Sequence, residues 1–115
     1  MIKPCIIGLG YVGLPILINL SKKYKSIGYD NNKNRIKKLS KGIDFFKEFE
    51  KKKLLDKSIS YTNSLEKIKN SNLYIVTVPT PILKNKTPDL KHLKDVCNIL
   101  SKVIKKNDII IFEST

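Results

Sequence analysis

Three glycines, Gly8, Gly10 and Gly13, stand in the run Ile6-Ile7-Gly8-Leu9-Gly10-Tyr11-Val12-Gly13-Leu14-Pro15, after a short apolar stretch and before a helical pattern. Their spacing suits one kind of chemistry, the binding of a dinucleotide pyrophosphate. One glycine makes the tight turn, one lets backbone approach the phosphates, and one allows a helix to pack closely on a strand. The helix that follows offers free N–H groups and the positive end of its dipole to the anion. A carboxylate completes the pattern: Asp30 ends the strand-like run Ser26-Ile27-Gly28-Tyr29-Asp30, about 20 residues past Gly10. A carboxylate there accepts from both ribose hydroxyls and repels a 2′-phosphate, so the expected cofactor is NAD and not NADP. Plainer roles stay open: the glycines could serve helix packing alone, and Asp30 could merely cap its loop.

The elements that must hold these residues alternate strand and helix along the chain. Strand patterns cover Lys3–Gly8, Ser26–Asp30, Ile59–Thr62, Leu73–Val78 and Ile109–Phe112. Helical patterns cover about Tyr11–Lys23, Lys33–Lys41, Asp44–Leu55, a short piece through Lys69, and about Asp89–Ile104. In the first helix Val12, Ile16 and Leu20 repeat at helical spacing, and Pro15 falls in the first turn, where a missing N–H costs nothing. Gly42 is placed to end the second helix as its C′ residue. Asn63 or Ser64 is expected to cap the fourth helix, with Glu66 completing a capping box. Thr87 and Pro88 read as N-cap and N1 of the last one.

Five strands joined by helical crossovers predict an α/β fold: a Rossmann-type doubly wound parallel sheet of order 3-2-1-4-5 with helices on both faces. Residues 1–115 form one domain on this reading. The crevice then lies between strands one and four, outside their carboxyl ends. The glycine turn, Asp30 and the loop Pro79-Thr80-Pro81 meet there, and Glu113-Ser114-Thr115 points to the same rim. Strand five keeps an unpaired edge, which invites dimerisation or aggregation.

Composition bounds the partners. The formal charge is +13, yet all but one of the 23 basic residues are lysine, Arg35 being the exception. A dedicated phosphate or base reader favours the bidentate fork of arginine, and these lysines are scattered over every helix face. A solvated lysine coat is therefore expected, with no specific nucleic-acid binding. No apolar run reaches the length of a membrane span, and Lys3 and Pro4 lead straight into a strand with no signal-like segment. No membrane partner and a cytoplasmic location are expected. Cys5 and Cys97 lack C-x-x-C spacing and read as buried small hydrophobes in a reducing compartment. His92 is the lone histidine, read as a surface residue, so no metal site is expected.

Gly8-Leu9-Gly10-Tyr11-Val12-Gly13-Leu14-Pro15, Gly28-Tyr29-Asp30, Val76-Thr77-Val78-Pro79-Thr80-Pro81 and Phe112-Glu113-Ser114-Thr115 together resemble the N-terminal domain of the UDP-glucose/GDP-mannose dehydrogenase family. The resemblance covers the whole chain and is closest to the branch acting on UDP-N-acetylhexosamines. It implies oxidation of the C6 alcohol of a nucleotide sugar to a carboxylate with two NAD per turnover. It also implies a UDP-sugar substrate and a homo-oligomer. By the same resemblance, backbone at Gly8, Gly10, Tyr11, Val12 and Gly13 holds the pyrophosphate and Asp30 the adenosine ribose. Arg35 lies near that ribose or the adenine, and Thr80 contacts the cofactor beyond strand four. Ser114 and Thr115 sit near the nicotinamide, where the threonine helps position the reacting water or sugar. Arg35 as a solvated helix residue and Thr80 as a rigid turn residue remain alternatives.

Family members are several times longer, and their catalytic cysteine, oxyanion-stabilising lysine and asparagine, and proton-handling carboxylates lie beyond Thr115. Neither Cys5 nor Cys97 replaces that cysteine, since neither has a basic partner. The expectation is a cofactor-binding fragment, inactive alone. Two rivals remain: a half of another Rossmann oxidoreductase, such as a short 3-hydroxyacid or 6-phosphogluconate dehydrogenase, and a non-enzymatic binding module for a nucleotide or an anionic polymer.

Overall fold

The computed structural model describes residues 1–44, 47–78 and 90–113. The first strand, β1 (Pro4–Ile7), is buried along its whole length and runs through the glycine turn into α1 (Gly13–Ser21). Then come β2 (Ser26–Tyr29), α2 (Lys33–Ser40), the single turn α3 (Lys51–Leu54), β3 (Ile59–Thr62), the single turn α4 (Leu65–Ile68) and β4 (Leu73–Val76). The long helix α5 (Lys91–Val103) leads to β5 (Ile109–Phe112). The strands form one five-stranded parallel sheet of order β3-β2-β1-β4-β5, with Ile6 opposite Gly28 on one side and Ile75 on the other.

Alternation along the central strands feeds two cores. Cys5 and Ile7 of β1 join Tyr74 and Val76 of β4 against Ile68 of α4 and Val96, Leu100 and Val103 of α5. Ile6 and Ile75 point the other way, onto Leu14, Leu17 and Ile18 of α1, Leu39 of α2 and Leu54 of α3. Helices therefore cover both faces, and the reversal of strand order falls between β1 and β4, as the sequence predicts. At the end of α2, Gly42 takes φ +79. Its N–H donates to Leu39 O at 2.9 Å and the Ile43 N–H to Lys38 O at 2.9 Å, a Schellman closure that turns the chain back over the helix.

Three expectations are corrected. Among the described residues of the stretch Asp44–Leu55, only Lys51–Leu54 are helical. The buried Asp44 carboxylate accepts from the N–H groups of Glu48 at 2.9 Å and Phe49 at 3.3 Å, and Lys47 has φ 56, so the backbone there is committed to a turn. No capping box forms at α4: Ser64 is its N-cap, as one of the two expected, but makes no side-chain capping bond, and Glu66 pairs with Lys69 at 2.8 Å. Cys97 is exposed, because the buried stripe of α5 runs through Val96, Leu100 and Val103 and position 97 is turned off it. The expected Thr87-Pro88 start of α5 lies outside the described residues.

Candidate functional site

The glycine turn is pinned between its two neighbouring strands. The Gly8 N–H donates to Tyr29 O of β2 at 2.8 Å. Just past β4, the Thr77 N–H donates to Ile7 O at 2.9 Å and its hydroxyl to Gly8 O at 2.6 Å. Gly8 sits at φ +100, which a side chain rarely adopts. A Cβ on Gly13 would collide with the Gly8 carbonyl and lie 2.5 Å from Thr77 Oγ1, so this glycine is required by packing. Gly10 differs. A Cβ there meets nothing within 4 Å, and its φ is outside the left-handed region. The fold does not need glycine at position 10; the open space above its backbone is what the residue provides.

That space adjoins the start of α1. Val12 is the N-cap and makes no side-chain capping bond, and the first turn carries no acidic residue. The N–H groups of Gly10, Val12 and Gly13 donate to no acceptor among the described residues. A nine-residue helix thus presents unsatisfied donors and a positive dipole end. Tyr11 is 65% exposed beside them.

Asp30 follows β2 and accepts at both oxygens. Oδ2 accepts from the Leu9 N–H at 3.0 Å and Oδ1 from the Asn32 N–H at 2.9 Å. The capping role left open for Asp30 is therefore real. A carboxylate offers about four acceptor sites, so capacity for hydroxyl donors remains. Asn32 caps α2 by accepting from the Arg35 N–H at 3.1 Å. Arg35 Nε donates to Leu9 O at 2.9 Å, and Nη1 lies 3.4 Å from Asp44 Oδ1. Its side chain is only 11% exposed, which removes the solvated alternative. Leu9 is thus gripped at its N–H by Asp30 and at its carbonyl by Arg35.

A cavity of about 550 Å³ opens at the carboxyl ends of β1 and β4, bounded by the glycine turn, Asp30 and Thr77 on one side and by His92 and Asp95 of α5 and Glu113 on the other. A second, of about 380 Å³, continues past Asp30 along α2, lined by Asn32, Asn34, Arg35 and Lys38. Together they form a cleft with donors at its centre, a carboxylate at one side and apolar walls from Val96 and Ile99. These features fit a dinucleotide: Gly10 leaves room for close approach, α1 supplies donors for a diphosphate, and Asp30 supplies acceptors for a ribose.

The structure brings Gly8, Gly10, Tyr11, Val12 and Asp30 together around the larger cavity, with Arg35 on the smaller one, while Gly13 lines neither and packs against Gly8 and Thr77. Thr80, Ser114 and Thr115 lie outside the described residues. His92 is exposed, as expected, yet it lines the cavity. Thr77 and Asp44 were missed. The signal for Thr77 was a hydroxyl at the end of a central strand; Asp44 had none, since its partner is reached only after the chain folds back. Cys5 is fully buried, and burial pushes its thiol up to about 12, so it is no nucleophile. Cys97 lines neither cavity.

A sequence profile of the UDP-glucose/GDP-mannose dehydrogenase family, NAD binding domain, matches residues 2–115. The UDP-N-acetyl-D-glucosamine 6-dehydrogenase of Pseudomonas aeruginosa is 44% identical over 99% of this chain and 27% of its own length. The enzyme of the same name from Salmonella typhi is 42% identical over 99% of this chain and 27% of its own. The solved UDP-D-ManNAc dehydrogenase of Pyrococcus horikoshii superposes with a TM-score of 0.92 at 31% identity, covering 99% of this chain and 28% of that one. The chain thus spans a little over a quarter of the length of these relatives.

Proposed function

The chain belongs to the UDP-glucose/GDP-mannose dehydrogenase family and matches its NAD-binding domain, and from that premise we propose that it is the cofactor-holding part of a nucleotide-sugar 6-dehydrogenase. The proposed reaction oxidises the C6 alcohol of a UDP-N-acetylhexosamine to a uronic acid, the branch favoured by relatives at 44% and 42% identity. NAD supplies the hydride acceptor. Its uronate product suits polysaccharide synthesis, in a cytoplasmic homo-oligomer; no helix among the described residues is long and apolar enough to cross a membrane. Residues 1–115 form a single cofactor domain on this proposal, and segments beyond them supply the sugar site and the nucleophile.

Each residue then has a task. Backbone donors at Gly10, Tyr11, Val12 and Gly13, aided by the dipole of α1, hold the pyrophosphate, and the φ of Gly8 sets their direction. Asp30 accepts from the ribose hydroxyls while fixing Leu9. Arg35 shapes the adenosine end by holding the Leu9 carbonyl. Thr80 contacts the cofactor beyond β4, Ser114 serves the nicotinamide end, and Thr115 positions the reacting water or sugar. The observation that carries the proposal is the conjunction at the β1–β4 reversal of open space over Gly10, unsatisfied donors on α1 and a carboxylate at Asp30.

The test is turnover. Full-length protein containing this chain, given UDP-N-acetylglucosamine and NAD, should form the uronate with two NADH per sugar. The 115-residue chain alone should form none. No turnover of any UDP-hexosamine by full-length protein, or turnover by the isolated chain, would refute the respective half.

A further inference from the structure

The hydrogen-bonded series from Asp30 through Leu9 and Arg35 ends at a carboxylate that the proposed site does not use. The Asp44 carboxyl group is 1% exposed, lies 3.4 Å from Arg35 Nη1, and accepts from the N–H groups of Glu48 and Phe49. A buried carboxylate held this way is fixed in position and charge, and it neutralises the guanidinium next to it. That guanidinium borders the smaller cavity together with Asp30 and Lys38, on the side where Asp30 meets the adenosine ribose in the proposed site.

We infer that Asp44 is a positioning and specificity-determining residue of the cofactor site: by holding and neutralising Arg35, it keeps the guanidinium on the Leu9 carbonyl and withholds it from a ribose 2′-phosphate. This inference rests on the NAD-site reading above. Discrimination against NADP then has two sources. Asp30 repels the extra phosphate, and the one cation able to bind it in a bidentate manner is committed to Asp44. The geometry also explains why a single arginine can border this cavity without turning it into a phosphate site. Nε points into the fold at Leu9, and Nη1 meets a carboxylate there.

The experiment is a calorimetric titration of the folded chain with NAD and with NADP, for wild type, Asp44→Asn, Arg35→Gln and the double variant. Asparagine keeps an oxygen for the Glu48 and Phe49 N–H groups while removing the charge. In Asp44→Asn the ratio of NAD to NADP affinity should fall about tenfold or more, the effect of one new charge-assisted hydrogen bond to phosphate. Adding Arg35→Gln should restore the ratio. A folded Asp44→Asn with an unchanged ratio would overturn the inference, since a purely structural carboxylate weakens both cofactors alike. Should Asp44→Asn fail to fold, Arg35→Gln decides: NADP affinity falling no further than NAD affinity supports the inference, and a selective loss of NADP affinity overturns it. Wild-type chain that is folded but binds no NAD would instead sink the site reading itself.

Discussion

In Gly10→Ala the added methyl meets no protein atom within 4 Å, and the backbone there is outside the left-handed region. Alanine restricts the unfolded chain more than glycine does, so the variant should gain about 0.4–1 kcal/mol of stability. At this chain length that raises the melting temperature by roughly 2–4 °C. Cofactor binding should move the other way. A carbon keeps about 3.5–4.0 Å from its neighbours, whereas a phosphate oxygen on a backbone N–H needs about 2.8 Å. The methyl therefore displaces the phosphate and forfeits about one charge-assisted bond, some 1.5–3 kcal/mol, or about tenfold to a hundredfold in NAD affinity. Thermal melts by circular dichroism and NAD titration by calorimetry read the two effects separately. Gly13→Ala is the control, because its methyl strikes the Gly8 carbonyl and Thr77 Oγ1. Overpacking together with a disturbed Thr77 bond should cost about 2–4 kcal/mol, lowering the melting temperature by roughly 8 °C or more. Gly10→Ala that melts like Gly13→Ala, or binds NAD within about twofold of wild type, would refute the assignment of Gly10 to the ligand.

Alkaline conditions should destabilise the fold through two buried groups, Cys5 and Tyr74, and the half-buried Tyr61. Burial raises the Cys5 thiol from 9.0 to about 12 and the Tyr61 and Tyr74 hydroxyls from 10.0 to about 12. All three are neutral in both states well below pH 9, where their contribution is complete, and it is lost as pH rises from about 9 through about 12 because the unfolded chain ionises first. Urea midpoints should fall over that window, with the onset later in Cys5→Ala; flat midpoints would contradict it. At the sheet edge, Ile109, Ile111 and Phe112 are 58%, 41% and 50% exposed on β5, which pairs with β4 alone among the described residues. Sedimentation velocity should show self-association growing with concentration and suppressed by Ile111→Lys. A monodisperse monomer at high concentration would count against it.

Strand positions were legible because each is a short apolar or β-branched run between turn residues, and β3 and β5 begin and end where the pattern predicts. The sheet order followed from the crossovers and the glycine turn, since parallel strands joined by helices have few topologies. What was not legible depends on contacts made after folding. The Asp44–Leu55 segment has helical composition, but Asp44 captures its N–H groups and reaches back to Arg35, an arrangement set by the turn at Gly42. The box expected at Glu66 failed because the helix opens at Leu65 with Ser64 as its N-cap, which makes Glu66 the second helical residue where the box needs the third. Gly8, Gly10 and Gly13 were recognisable as a set from spacing alone. That one is needed for its φ, one for packing and one only for open space is visible in the structure and not in the spacing.

The central claim is that NAD lies over the glycine turn with its ribose at Asp30. The most direct measurement is titration of the isotope-labelled chain with NAD, followed through backbone amide chemical shifts. The account predicts saturable shifts concentrated at Gly8–Gly13, Asp30–Asn32 and Thr77, with smaller ones at His92 and Asp95 across the cavity. Absence of shifts in a folded chain, or shifts centred away from the carboxyl ends of β1 and β4, would contradict it.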